Sequence, residues 1–162
     1  MILNSIVKNN HSALTMSGLA VEDQCRTIFE AIKTKKIFRY CVFYIKDERC
    51  ITVEVTGHRE ASYQEFLQDM QREGDRSCRY GLYDFEYEHQ CQGTLDTSTK
   101  QKLFLMLMCP DSARIKDKML YASSFGALKK SLVGVHKYVQ VSDYAEASPG
   151  EIEKQLRKTD RD

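Results

Sequence analysis

Apolar side chains recur along this chain in two periods, and the switches between those periods mark its elements. Val21, Cys25, Ile28 and Ile32 fall at helical spacing, with Phe29 alongside. Glu22 and Asp23 stand at the start and Lys33, Lys35 and Lys36 at the end, complementing the helix dipole, so a first amphipathic helix is predicted. Phe38 to Ile45 and Cys50 to Thr56 are β-rich runs joined by the polar Lys46-Asp47-Glu48-Arg49, which reads as a hairpin. In its second strand Ile51, Val53 and Val55 alternate with Thr52 and Glu54, predicting one buried face. Tyr63, Phe66, Leu67 and Met70 return to helical spacing, ended near Gly74-Asp75. Arg79 to Tyr87 is aromatic and β-prone, and the polar run His89 to Thr99 after it reads as a loop. Leu103 to Met108, six apolar residues in a row, predicts a strand covered on both faces at the centre of a sheet. After Pro110, the positions Ile115, Met119, Ala122, Phe125, Leu128 and Leu132 mark a long helix, with Ser123-Ser124 the candidate bend. Val135 to Val141 is a further strand, and Pro149 opens a last helix holding Ile152 and Leu156. Residues 1–17 lack sustained periodicity and are rich in Asn, Ser and Thr, so they read as a flexible extension, with order beginning near Leu19.

The resulting order, αββαββαβα, supplies helices for both faces of a sheet and predicts an α/β sandwich around a mixed sheet. At 162 residues, with 42% hydrophobic and 29% charged side chains, the chain suits one domain. Its first fifteen residues are too polar and too short for a signal segment or a spanning helix. The six cysteines (Cys25, Cys41, Cys50, Cys78, Cys91 and Cys109) are widely spaced, form no C-x-x-C pair and lie mostly in apolar stretches. They read as buried reduced thiols in a reducing, intracellular compartment.

Catalytic patterns are missing from the sequence. It has no Walker A run, no G-x-G-x-x-G, no G-x-S-x-G and no H-E-x-x-H. His11, His58, His89 and His136 are scattered, and His89-x-Cys91 alone does not make a metal site. Asp84, Glu86 and Glu88 alternate along one strand and read as its solvated face. Binding is favoured over catalysis, with no cofactor and no metal expected. A thiol-dependent enzyme is the reading from a different class.

Charge sharpens the choice of partner. The net charge is only +1, which argues against a dedicated nucleic-acid binder. Yet residues 97–137 carry 8 basic and 2 acidic side chains, while residues 47–96 carry 5 and 12. The basic excess gathers around the long helix: Lys100 and Lys102 precede it, Arg114, Lys116 and Lys118 open it, and Lys129 and Lys130 lie near its end. Around Arg114 to Lys118 the cations flank Met119, Leu120 and Tyr121, a combination suited to an acidic partner with a greasy cleft.

These residues carry a resemblance. Cys78-Arg79-Tyr80-Gly81-Leu82-Tyr83-Asp84-Phe85-Glu86-Tyr87, Cys109-Pro110-Asp111-Ser112-Ala113, Ile115-Lys116-Asp117-Lys118-Met119-Leu120-Tyr121-Ala122-Ser123-Ser124 and Ala127 to Val135 resemble successive blocks of the ADF/cofilin family, in the right order. The likeness runs from Met16 to about Lys158 and is closest to short animal cofilins, the basic nuclear-import insert being reduced to Lys33, Lys35 and Lys36. It implies the actin-depolymerising-factor homology fold over residues 16–162, preceded by the extension 1–15. It also implies a monomeric protein of the cytoplasm and cytoskeleton, with the nucleus as a further compartment. Such a protein binds actin monomers and filament sides, prefers ADP-actin, and severs and depolymerises filaments; the alternative is a diverged member that binds monomers and severs poorly. By the same resemblance Ser17, Gly18, Lys116, Lys118 and Met119 contact both monomers and filaments, while Lys100, Lys102, Lys154 and Lys158 contact filaments alone. Lys116, Lys118, Lys129 and Lys130 offer a basic surface to phosphoinositides, and Ser17 is the position of inhibitory phosphorylation, served by a kinase and a phosphatase.

The chain departs from the family pattern at several positions. Fifteen residues precede the usual start Met16-Ser17-Gly18, and Met108 stands in place of a tryptophan, which predicts looser packing. Gly126 replaces an acid and is expected to weaken the helix by about 1 kcal/mol. Lys154 sits where some relatives carry an acid, and the pH-sensing histidine of vertebrate members falls at Lys137, one place from His136, so that response is not carried over.

Overall fold

The computed structural model describes residues 13–14, 19–91 and 93–160. Along the chain these form β1 (Ala13–Leu14), β2 (Ala20–Val21), α1 (Asp23–Lys33), β3 (Phe38–Lys46), β4 (Cys50–His58), α2 (Tyr63–Met70), β5 (Arg79–Gln90), β6 (Thr97–Met108), α3 (Ile115–Ser131), β7 (Lys137–Val141) and α4 (Pro149–Arg157). One mixed sheet runs β1-β2-β4-β3-β5-β6-β7, in which only β2/β4 and β6/β7 are parallel pairs.

Helices cover both faces. On one, α1 and α3 lay Cys25, Phe29, Ile32, Tyr121, Phe125 and Leu128 on Phe43, Tyr80, Leu105 and Leu107. On the other, α2 and α4 lay Phe66, Leu67, Met70, Ile152 and Leu156 on Tyr40, Tyr83, Phe104 and Met106. The alternation of Leu103 to Met108 between these two cores is what six consecutive apolar residues require, and Met108 is itself fully buried.

Local chemistry fixes the element ends. Ser62 accepts the Glu65 N–H while the Glu65 carboxylate accepts the Ser62 N–H, a capping box that starts α2. Ser148 caps α4 in front of Pro149. In the three-residue hairpin loop Asp47 and Glu48 both take positive φ, and the Arg49 N–H closes the turn on the Lys46 carbonyl at 2.9 Å. At Gly81 a Cβ would stand 2.5 Å from the Phe66 ring, so the glycine is what lets α2 approach β5 this closely.

The structure departs from the sequence pattern in five places. Val21 joins strand β2 instead of the first helix, because it pairs with Ile51 of β4. Ala13 and Leu14, within the stretch read as flexible, pair with β2 as an edge strand. A bulge at Glu54 shifts the β3/β4 register, so Val53 packs into one core and Val55 into the other. The run read as a loop from His89 to Thr99 is shorter: β5 continues to Gln90 and β6 begins at Thr97, cross-strand pairing overriding polar composition. Asp84 is not on a solvated face. Its carboxylate is 1% exposed and accepts from Lys36 Nζ at 3.0 Å and Arg59 Nη2 at 2.8 Å, while Glu86 pairs with Arg39 at 3.2 Å.

Candidate functional site

Three of the predicted core positions of α3, Ile115, Met119 and Ala122, face water. Its buried side consists of Tyr121, Ser124, Phe125 and Leu128, whereas Ile115 is 75% and Met119 67% exposed. Ala122, Ser123, Gly126 and Lys130 continue the exposed side along the helix. Apolar residues therefore lie on both sides of α3, and a surface helix of this kind has a second face available for a partner. Tyr121, which the sequence groups with the exposed residues, belongs to the core: its hydroxyl accepts the Ile45 N–H at 2.9 Å and its carbonyl accepts the Tyr80 hydroxyl at 2.5 Å. Leu120 is half-buried.

Charge frames the exposed apolar pair. Lys116 Nζ lies 2.9 Å from Glu48 at the tip of the β3–β4 hairpin, both side chains more than half exposed, so the pair opens readily to a competing acid. Lys118 donates to the Asp111 carbonyl at 2.5 Å and ties the first turn of α3 to the loop before it. Arg114 reaches both carboxylate oxygens of Asp117, at 3.0 and 3.4 Å. Beside this turn a cleft of about 480 Å³ opens between Tyr44, Glu48, Arg76, Arg79, Asp117 and Tyr121. The structure thus brings Lys116, Lys118 and Met119 together at one end of α3. Ile115 belongs with them; the sequence missed it as a surface group because its spacing fits a core position equally well.

The second basic set is divided. Lys154 is exposed on α4 and paired to Glu151 at 3.1 Å, Lys158 is exposed at the C-terminal cap of that helix, and Lys100 is half-exposed on β6. Lys102 is not presented outward. Its side chain is 11% exposed, with Nζ 2.5 Å from Asp160 Oδ1 and 2.5 Å from Thr159 Oγ1. Asp160, whose side chain is 5% exposed, also accepts the Tyr87 hydroxyl at 2.8 Å, and His89 Nδ1 stands 3.4 Å from its other oxygen. Lys102 and Tyr87 hold its carboxyl below the ordinary carboxylate value, against the opposing effect of burial. No local signal at Asp160, inside a charged tail, announces this anchor.

Lys129 lies over the rings of Phe125 and Tyr138, at 4.3 and 4.8 Å, while Lys130 is exposed beside it. Ser17 and Gly18 fall outside the described residues. Among the described residues no cluster of three or more His, Cys, Asp or Glu could hold a metal, and no helix is long and apolar enough to cross a membrane. Burial pushes the Cys25 thiol up to about 12 and Cys41 well above its ordinary value, which opposes thiolate chemistry at either.

Residues 18–157 match the family model described as cofilin/tropomyosin-type actin-binding protein. Actin-depolymerizing factor 2 of Arabidopsis thaliana is 37% identical over 130 residues, 80% of this chain and 88% of that protein. Actophorin of Acanthamoeba castellanii is 34% identical over 144 residues, 88% of this chain and 98% of that one. Among solved structures, the cofilin of Streptomyces griseoflavus superposes with a TM-score of 0.76 at 29% identity, covering 87% of this chain and 98% of its own. The ADF-like UNC-60A protein of Caenorhabditis elegans gives 0.72 at 31% identity, covering 86% and 94%.

Proposed function

This chain belongs to the ADF/cofilin family of actin-binding proteins, and on that premise we propose that it binds actin monomers and filament sides and promotes filament severing and depolymerisation. The observation that carries the proposal is the outer side of α3, where Ile115 and Met119 stand exposed between Lys116 and Lys118. A partner cleft with an apolar floor and acidic rims buries the two apolar groups and exchanges the loose Lys116–Glu48 pair for its own carboxylate. The relatives named actin-depolymerizing factors favour filament disassembly over a reading limited to monomers.

Lys100, Lys154 and Lys158 form the additional surface used on filaments, with Lys102 acting from beneath through Asp160. Severing needs no covalent step. A ligand that prefers a twisted filament shifts the filament toward that state, and breakage follows where decorated and bare stretches meet. ADP-actin is the preferred partner. Phosphoinositide headgroups compete at Lys116, Lys118, Lys129 and Lys130, and a phosphate on Ser17 adds close to two negative charges that repel an acidic partner. The site of action is the cytoskeleton, in the cytoplasm and in the nucleus.

Co-sedimentation with ADP-actin filaments, paired with a monomer-binding assay, tests the reading. Wild-type protein is expected to bind both, and Lys116→Ala with Lys118→Ala to bind neither while keeping its circular dichroism. Absence of wild-type binding to either form would overturn the proposal.

A further inference from the structure

The antiparallel ladder of β5 and β6 ends at Arg79 opposite Met108. One step further in that register Cys78 faces Cys109, both reduced, with their Sγ atoms 3.5 Å apart. Cys25, Cys41 and Cys50 direct their thiols at oxygen atoms, of Ile51, Val42 and Glu22, whereas Cys78 and Cys109 direct theirs at each other.

Backbone direction decides what this pair can do. The Cys109 N–H donates to the Val141 carbonyl at 2.9 Å, so it points toward β7 and away from Cys78. The two cysteines are therefore a non-hydrogen-bonded cross-strand pair, the kind that holds its Cα atoms about 4.5 Å apart with side chains close. That spacing lies within the range of about 4.4–6.8 Å found in disulfides. Bringing the sulfurs to a bond of about 2.05 Å takes side-chain rotation and no strand rearrangement. Access exists from two sides: Cys109 is half-buried, and Cys78 lines the cleft of about 480 Å³ beside α3.

We propose that Cys78 and Cys109 are a redox-modification site that closes to an intramolecular disulfide under hydrogen peroxide. The Cys109 thiolate attacks one peroxide oxygen, the O–O bond breaks, and the departing hydroxide takes a proton to leave as water, with a sulfenic acid on Cys109. The Cys78 sulfur then attacks the sulfenyl sulfur, the S–O bond breaks, and the hydroxyl leaves as a second water with the Cys78 proton. Two thiols lose two electrons to give one disulfide, and one peroxide is reduced to two waters. The order follows from position, since burial pushes the Cys78 thiol up to about 12 and keeps it protonated until the neighbouring sulfur becomes electrophilic. The bond ties the start of β5 to the loop that enters α3, the same loop whose Asp111 carbonyl holds Lys118.

The experiment needs no actin, so its outcome is separate from that of the proposed function. The full chain is treated with hydrogen peroxide in its native state, blocked with N-ethylmaleimide, digested without reductant and mapped by mass spectrometry. The expected product is a Cys78–Cys109 linked peptide that dithiothreitol converts back to two thiols, with exposed Cys91 oxidised separately. A Cys109→Ser variant with unchanged circular dichroism is expected to yield Cys78 as the maleimide adduct after unfolding. Recovery of both cysteines as adducts under conditions that oxidise Cys91, their separate conversion to sulfinic acids, or a Cys78 link to some other cysteine in the variant would each overturn the assignment.

Discussion

Replacing Met119 by alanine separates binding from folding. Met119 is 67% exposed on α3, so a partner closing over this helix takes about two thirds of its surface out of water. Full burial of a methionine side chain contributes about 1.5–3 kcal/mol, and two thirds of that is about 1–2 kcal/mol, or about 5- to 30-fold in Kd. Folding has little at stake, because the side chain is outside both cores and alanine is the better helix former. Urea unfolding of Met119→Ala is therefore expected within about 0.5 kcal/mol of wild type. Titration against ADP-actin filaments by co-sedimentation reads the binding loss. A Kd within twofold of wild type, with stability unchanged, would refute placing the outer side of α3 at the contact. A binding loss matched by a stability loss would mean that Met119 acts through the fold.

Other positions give further tests. Gly126 is exposed within α3 and a Cβ there meets nothing within 4 Å, so Gly126→Ala is expected to stabilise the protein by about 1 kcal/mol and raise its melting temperature by about 2–4 °C, read by scanning calorimetry. Asp160→Asn takes the charged partner from Lys102, with an expected destabilisation of about 1–3 kcal/mol and faster amide exchange at the end of α4; exchange equal to wild type would contradict the anchor. His136 Nδ1 accepts the Leu103 N–H at 3.0 Å, a bond open only to a ring without a proton there, and partial burial, helped by Lys102, holds its pKa below the ordinary 6.5. Below pH 6.5 the unfolded chain binds the proton first, so stability present above 6.5 is lost as pH falls toward the folded value. Urea midpoints measured from pH 7 downward should show that loss, and His136→Asn, which keeps an acceptor without titrating, should flatten it.

Much of the fold was legible because burial imposes a period. The six-residue run from Leu103 predicts a strand with a core on each face, and β6 alternates between two cores there. Phe66, Leu67 and Met70 predict the buried side of α2, and Ile152 and Leu156 that of α4. What periodicity could not resolve was a helix with apolar residues on two sides. Ile115 and Met119 share a spacing with Phe125 and Leu128, yet only the second pair meets the sheet. A one-residue bulge at Glu54 is likewise invisible in alternation, although it sends Val53 and Val55 into different cores.

Residue type and order suffice for the class of fold, for the family through its chain of matching blocks, and for the basic end of the long helix. Tertiary structure alone decided which cations remain free. Lys102 and Lys100 look alike in the sequence, but the chain end returns across the sheet and sets Asp160 against Lys102, leaving Lys100 half-exposed. Asp84 is turned inward by Lys36 and Arg59, both remote in sequence, and Cys78 meets Cys109 only because β5 pairs with β6. Such choices depend on distances between segments far apart in the chain, and a linear pattern carries no record of them.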